Sequence, residues 1–273
     1  MFLEEAVPDR MKGLKVADGV TRFVANNPGK MTYHGTNTYM VEMSEGSVII
    51  DPGPAEDAAH LQMILHNLPD NAAGILVTHH HSDHFGAAPV LREAINLPIY
   101  VSSVFPDDAF EADGLLNDGQ RVGGLTALHT PGHASDHLCL ARSDGVLFSG
   151  DHVMSWNSSI ISPPDGDMRA YINELHRLIE RCDKLYLPGH GPALYEPVPY
   201  VRHLLKNRVR REAEILDYIA TTPDTASNIA TALYRKSDPM IAKAAKRNVV
   251  AHLEKLSAEN LVKNVNGVWH HVG

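Results

Sequence analysis

The chain has 273 residues, 44% of them hydrophobic and 21% charged, which fits an ordinary globular protein with one large domain or a large and a small one. Its formal charge is −9, and its acidic first part argues against a general polyanion binder while its last part could be one. The charge is uneven: from Tyr200 onward 12 Lys+Arg face 7 Asp+Glu, a balance of +5, while the part before it carries −14. The predicted elements begin with "TNTYMVEM" and "SVIIDPG", read as paired strands around the turn "SEGS". "AEDAAHLQMILHNL" places Ala58, Leu61, Leu65 and Leu68 at helical spacing until Pro69 stops it. "GILVTH" reads as a short apolar strand and "FGAAPVLREAI" as a helix. "PIYVS", "LTALHT", "HLCLARS" and "VLFSGD" are further strands, "DMRAYINELHRLIE" an amphipathic helix, and "KLYLPGH" another buried strand. Strands interleaved with helices predict an α/β class.

Four prolines between residues 188 and 199 mark a boundary, giving a large domain over 1–197 and a small domain over 198–273. The latter opens with a long helix, "YVRHLLKNRVRREAEILDYIA". "TASNIATALY" and "DPMIAKAAKRNVVAHLEKLSAEN" read as two more helices, and Asn266-Gly267 as the turn of a terminal hairpin. This is a winged-helix pattern. The opening "MFLEEAVPDRMKG" has no secretory character, and no apolar run suggests a membrane span. Two isolated cysteines, Cys139 and Cys182, form no disulfide framework. A cytoplasmic protein with no membrane partner is expected.

Seventeen histidines are unusual, and four of them lie in "THHHSDHF", residues 78–85. On extended backbone alternate side chains share a face, so His79 and His81 reach one ion while His80 points elsewhere. Asp83 and His84 follow where the chain turns into a helix and can serve a second ion. Imidazole and carboxylate suit Zn²⁺ or another divalent metal. Further donors stand after apolar runs: His133 in "HTPGH", Asp151 in "FSGDH" and His190 in "LPGH". An aspartate has two oxygens and can span two ions. His129 and His137 are expected to hydrogen-bond locally, His152 to line the pocket at most, and Cys139 to fill core. Asp51, in "DPG", is either a turn residue or an acceptor for the second N–H of a ligand histidine.

"HHHSDH" resembles the HxHxDH signature of the metallo-β-lactamase superfamily, and His133, Asp151 and His190 follow in its order. "GTNTYMV", "HTPGHASDHLCL", "LFSGDHVM", "PPDGDM" and "LPGHGP" are similar to the β-lactamase-like protein 2 branch. That resemblance implies an αββα sandwich, a two-zinc site and a C-terminal winged-helix-like domain. It places one zinc on His79, His81 and His133, the other on Asp83, His84 and His190, and Asp151 between them. Branch members act on different substrates, as an animal single-strand endoribonuclease and as fungal thioesterases on carrier-bound polyketides, so the fold leaves the substrate open.

The expected chemistry is metal-assisted hydrolysis by a metal-bound hydroxide, with Asp83 steering its proton. Three readings follow. The first is a hydrolase of a small or carrier-bound ester, thioester or lactone, with Trp156 in "VMSWNSSIISPP" as pocket wall, although the same residue also reads as core. The second is a phosphodiesterase acting on RNA through the basic tail, with Arg208, Arg210, Arg211, Lys243, Lys246 and Arg247 as candidate phosphate contacts; a solvated helix face is the plainer account of these. The third is a partner-binding protein with structural zinc, which an open two-metal site disfavours.

Overall fold

The computed structural model describes residues 2–106, 110–234 and 239–273. By their internal contacts they form two compact units. One takes in Met1–Thr130, Asp136–Ser158 and Cys182–Pro197, and the other Pro131–Ser135, Ser159–Arg181 and Val198–Gly273. The second unit is therefore more than the tail: two earlier segments join it, one of them carrying His133.

The first unit is built on two sheets. A seven-stranded sheet runs in chain order through β1 (Leu14–Ala17), β2 (Val20–Val24), β3 (Asn37–Val41), β4 (Ser47–Ile50), β5 (Ala72–Leu76), β6 (Ile99–Ser102) and β7 (Gly114–Leu116). The second holds β8 (Arg121–Val122), β9 (Leu125–His129), β10 (Leu138–Ala141), β11 (Val146–Gly150), β12 (Leu185–Pro188) and β13 (Leu194–Tyr195), each paired with the next. β4 to β7 pair in parallel, as do β11 and β12. Three helices belong to this unit: α1 (Ala58–His66), α2 (Ser82–Phe85) and α3 (Ala88–Ile95).

Alternation explains the sandwich. Tyr39, Val41, Val48, Ile50 and Leu76 point into one apolar core with Leu138, Leu140, Phe148 and Leu187 of the other sheet. Met40, Ile49 and Ile75 point the opposite way, onto Leu61 and Ile64 of α1 and Leu91 of α3. Both faces of the central strands are thus buried, which is why "SVII" and "GIL" read as unbroken apolar runs. Each fully buried large side chain contributes roughly 1.5–3 kcal/mol. The helix expected over "FGAAPVLREAI" is two pieces, α2 and α3, with the first starting at Ser82. In α1 the buried face is His60, Leu61 and Ile64, so Leu65 and Leu68 lie to its side.

The second unit contains α4 (Met168–Arg181), α5 (Pro197–Thr221), β14 (Asp224–Thr225), α6 (Ala226–Leu233), α7 (Pro239–Ala258), β15 (Val262–Val265) and β16 (Val268–His271). Its small sheet has the order β14-β16-β15. Asn266 and Gly267, at φ 52° and 85°, form the predicted hairpin turn. Ile215, Ile219, Ile229, Val249, Leu253 and Trp269 build its core. Pro197 and Pro199, read as marking a domain boundary, lie in the first turn of α5, where a missing N–H costs nothing. The predicted third helix begins one residue before α7, and that residue, Asp238, lies outside the described residues.

Candidate metal centre

In the first unit the polar residues gather where strands end. β4 leads into Asp51, β5 into the loop 77–81, β11 into Asp151 and β12 into His190. Parallel neighbours end on the same side, so these loops meet above a rigid sheet edge.

Asp51 organises the first of them. It is 2% exposed and adopts φ 49°. Its Oδ1 accepts the Thr78 backbone N–H at 2.7 Å, and its Oδ2 accepts the Thr78 hydroxyl at 2.7 Å and His84 Nδ1–H at 2.8 Å. The sequence left two roles open for Asp51, and the geometry makes it a histidine acceptor. Because the Thr78 hydroxyl donates to Asp51, its oxygen accepts His79 Nδ1–H, 3.0 Å away. His79 and His84 therefore both present a lone pair on Nε2. His79 Nε2 lies 2.9 Å from His81 Nδ1, as the alternation predicts, while His80 Nδ1 turns to the buried Asp136 Oδ1 at 2.8 Å.

His190 is fixed from the opposite direction. Its Nδ1 donates to the Gly35 carbonyl at 3.2 Å, which again leaves the lone pair on Nε2. Asn37 brackets this loop, giving its backbone N–H to Gly189 O at 2.7 Å and its side-chain NH₂ to Pro188 O and Gly191 O at 2.8 Å each. Arg22, 2% exposed, adds Nη1 to Gly191 O at 3.1 Å and pairs with Glu5 at 2.8 Å. Asp151 is held by His137, whose Nε2 accepts the Asp151 N–H at 3.1 Å while Nδ1 donates to Thr130 Oγ1 at 2.9 Å. His137 thus bonds locally, as expected. His152 is fully buried.

Four acceptor atoms converge as a result. His84 Nε2 and His190 Nε2 stand 3.3 Å apart. Asp83 Oδ2 lies 3.7 and 3.3 Å from them, and Asp151 Oδ1 lies 3.6 and 3.5 Å away. Asp151 also offers an oxygen within 4.8 Å of ring nitrogens of both His79 and His84. Gly189 keeps this space clear: a Cβ there would come within 2.6 Å of Asp151 Oδ1 and of His84 Cε1.

Such a set favours positive charge. Burial disfavours the His84 cation, but the carboxylates of Asp83, Asp151 and Asp51 outweigh it and carry its pKa up to about 9. His190 is raised well above the ordinary value by Asp151 and Asp83, again against burial. Burial also opposes ionisation of Asp83, yet His84 and His190 hold its carboxyl well below the usual range. Two protons satisfy the cluster, and so does a divalent metal ion. Neutral imidazole and carboxylate are the donors that Zn²⁺ and similar ions take, so the residues fit such an ion.

Residues 31–109 and 102–190 match the Metallo-beta-lactamase superfamily, and residues 225–269 match the Beta-lactamase associated winged helix domain. The chain belongs to the metallo-beta-lactamase superfamily. A Caenorhabditis elegans protein named beta-lactamase-like protein 2 homolog is 28% identical over 263 residues, 92% of this chain and 88% of its own length. A Claviceps purpurea protein named atrochrysone carboxyl ACP thioesterase is 32% identical over 210 residues, 74% of this chain and 66% of its own. A crystal structure of a beta-lactamase domain protein from Burkholderia ambifaria shares the fold, with a TM-score of 0.83 at 21% identity over 98% of this chain and 96% of that one. The chain is accordingly a hydrolase of this superfamily with a C-terminal winged helix. No helix among the described residues is long and apolar enough to cross a membrane.

The other predicted residues of this superfamily member are distributed as follows. Trp156 is half-buried, stacks on Tyr33 with centroids 4.9 Å apart, and lies against Gly191, directly after His190. His133 belongs to the second unit, where its Nδ1 faces Ile160 O at 2.8 Å. Arg208 is no phosphate contact: it is 6% exposed, because on α5 it shares the inward face of Leu204 and Ile215. Arg210 and Arg211 pair with Glu214 at 2.5 and 2.7 Å, and Arg211 lies 4.0 Å over the Tyr234 ring. Lys243, Lys246 and Arg247 are exposed on α7. Sequence reasoning missed Thr78, Asn37, Arg22 and Gly189. Thr78 stands in "THHHSDHF", Asn37 in "GTNTYMV" and Gly189 in "LPGHGP", while Arg22 lies in none of the motifs read there.

Proposed function

We propose that the chain is a dinuclear zinc-dependent hydrolase of a small or carrier-bound ester, thioester or lactone. His79, His81 and His133 would hold one ion, Asp83, His84 and His190 would hold the other, and Asp151 would be shared by both. The observation that carries this reading is the convergence of His84 Nε2, His190 Nε2, Asp83 Oδ2 and Asp151 Oδ1, with both imidazole lone pairs turned inward by Asp51 and Gly35. Bound there, two divalent ions supply Lewis acidity and bring the pKa of a water towards neutrality.

The chain's own residues do the rest. Asp83 is the more exposed of the two converging carboxylates, 28% against 10% for Asp151, and steers the proton of the attacking water. Thr36 Oγ1, 3.4 Å from Asp83 Oδ2, donates to it and keeps the carboxylate aimed inward. The Tyr33–Trp156 pair offers an apolar wall for the acyl group beside Gly191. The name of the Claviceps relative, an ACP thioesterase, supports a thioester on a carrier as the substrate class.

A second reading, cleavage of single-stranded RNA, draws on the exposed Lys243, Lys246 and Arg247 of the winged-helix domain. Against it stands the −14 charge of the part before Tyr200, which repels a polyanion. The deciding experiment is elemental analysis of the full-length protein, followed by a panel of acyl thioesters, esters, lactones and single-stranded RNA. Two zinc equivalents and thioester turnover are expected. One equivalent that stays at one under added Zn²⁺, with full activity, would remove the second ion. RNA cleavage without acyl turnover would replace the substrate class.

A further inference from the structure

His133 comes from the stretch between β9 and β10, yet by its contacts it belongs to the second unit. Its backbone is held there at several points. The Asp167 N–H donates to Gly132 O at 2.9 Å. The Ser135 N–H and hydroxyl donate to Asp165 Oδ1 at 3.0 and 2.6 Å. Gly132, at φ 137°, passes so close to α4 that a Cβ would come within 2.5 Å of the Tyr171 Cα. On Nδ1 the ring meets the carbonyl Ile160 O, 2.8 Å away. A carbonyl only accepts, so Nδ1 carries the proton and Nε2 keeps its lone pair.

The Ile160 carbonyl is itself clamped on both sides by the long helices of the unit. Arg208 of α5 donates Nη2 to the preceding carbonyl, Ser159 O. Asn248 of α7 accepts the following amide, Ile161 N–H, on Oδ1 at 2.9 Å. Both are more than nine-tenths buried, at 6% and 8% exposure, and the Arg208 guanidinium lies 5.1 Å over the Tyr171 ring. An apolar side chain of similar length would fill that place without the cost of burying a cation. What it would not supply is the bond to Ser159.

We propose that Arg208 and Asn248 are positioning residues of the metal centre. By clamping Ser159–Ile161 they keep the Ile160 carbonyl on His133 Nδ1, and so keep Nε2 available as a ligand. This rests on the reading of His133 as a zinc ligand. Residues far along the chain, on α5 and α7, thus set the tautomer that His133 presents.

The test uses full-length protein carrying Arg208→Met, Asn248→Ala, Arg208→Lys, His133→Ala or, as a control on the exposed side of β15, Lys263→Ala. Zinc affinity is titrated against a chromophoric chelator, folding is followed by circular dichroism, and the metal-free His133 tautomer is read by ¹⁵N–¹H NMR of the wild type. Arg208→Met and Asn248→Ala should each weaken one of the two zinc sites by roughly 10–100-fold and leave the other unchanged. Arg208→Lys should recover most of the loss, Lys263→Ala should match the wild type, and the wild-type His133 proton should sit on Nδ1.

The clamp is refuted if folded Arg208→Met and Asn248→Ala keep both affinities while His133→Ala loses one ion. If His133→Ala itself keeps both, the ligand reading has failed and the clamp with it. Should either helix variant fail to fold, the wild-type tautomer decides: a proton on Nε2 overturns the proposal.

Discussion

Replacing Asp51 by asparagine changes one oxygen for an NH₂ and nothing else in shape. In the native site both carboxylate oxygens accept: Oδ1 from the Thr78 N–H, Oδ2 from the Thr78 hydroxyl and from His84 Nδ1–H. The amide of the Asp51→Asn variant has one acceptor oxygen for two positions. If that oxygen faces the Thr78 N–H, the NH₂ meets His84 Nδ1, and the imidazole must move its proton to Nε2, where a metal would bind. If the oxygen faces His84, the NH₂ opposes a buried backbone N–H, at about 1–3 kcal/mol for an unmet donor. Either way the His84 lone pair is lost or its support weakens. Affinity at the ion held by His84 should fall roughly 10–100-fold, about 1.4–2.8 kcal/mol. Titration of metal-free protein with Zn²⁺ against a chelator reads this directly, with a melting curve as the check on folding. Folded Asp51→Asn protein with wild-type affinity for both ions would show that the carboxylate does not set the His84 tautomer.

Asp151→Ala should lower kcat/KM by ~100-fold or more and reduce metal content, whereas His80→Ala should leave metal content intact and cost only stability, since it strips Asp136 of a partner 2.8 Å away; equal activity losses would contradict the alternation of the histidine loop. His60, buried against Thr38 Oγ1 at 2.8 Å, has its pKa lowered to about 4, with burial as the main cause. The unfolded chain takes up that proton near pH 6.5, so stability should fall as pH drops from about 6.5 to 4, by about 3 kcal/mol. His60→Gln should remove this part of the acid sensitivity in denaturant unfolding, and an unchanged difference between pH 7 and pH 4 would refute it.

The sequence by itself determined the parts of this protein that local pattern encodes. Short apolar runs broken by Gly, Pro and Asp marked the strands β3 to β6 and β9 to β12, and residues just beyond several of those ends supplied His79, His81, Asp83, His84, Asp151 and His190. Consecutive residues suffice there, because a buried strand must be apolar and its end must turn. The strands β1, β2, β7, β8, β13 and β14 went unread, most of them too short for a period to register. Pro197 and Pro199 were read as a boundary ahead of the helix, because proline marks a boundary and a helix start equally well. Only the tertiary structure decided which nitrogen of each histidine is left to bind a metal. The partners responsible lie far away in the chain: Gly35 for His190 across 155 positions, Asp51 for His84 across 33. Only the tertiary structure, too, turned Arg208 inward and gave the His133 loop to the unit that holds α5 and α7. A hydrogen bond between distant segments leaves no periodic trace in either one, so packing alone could reveal it.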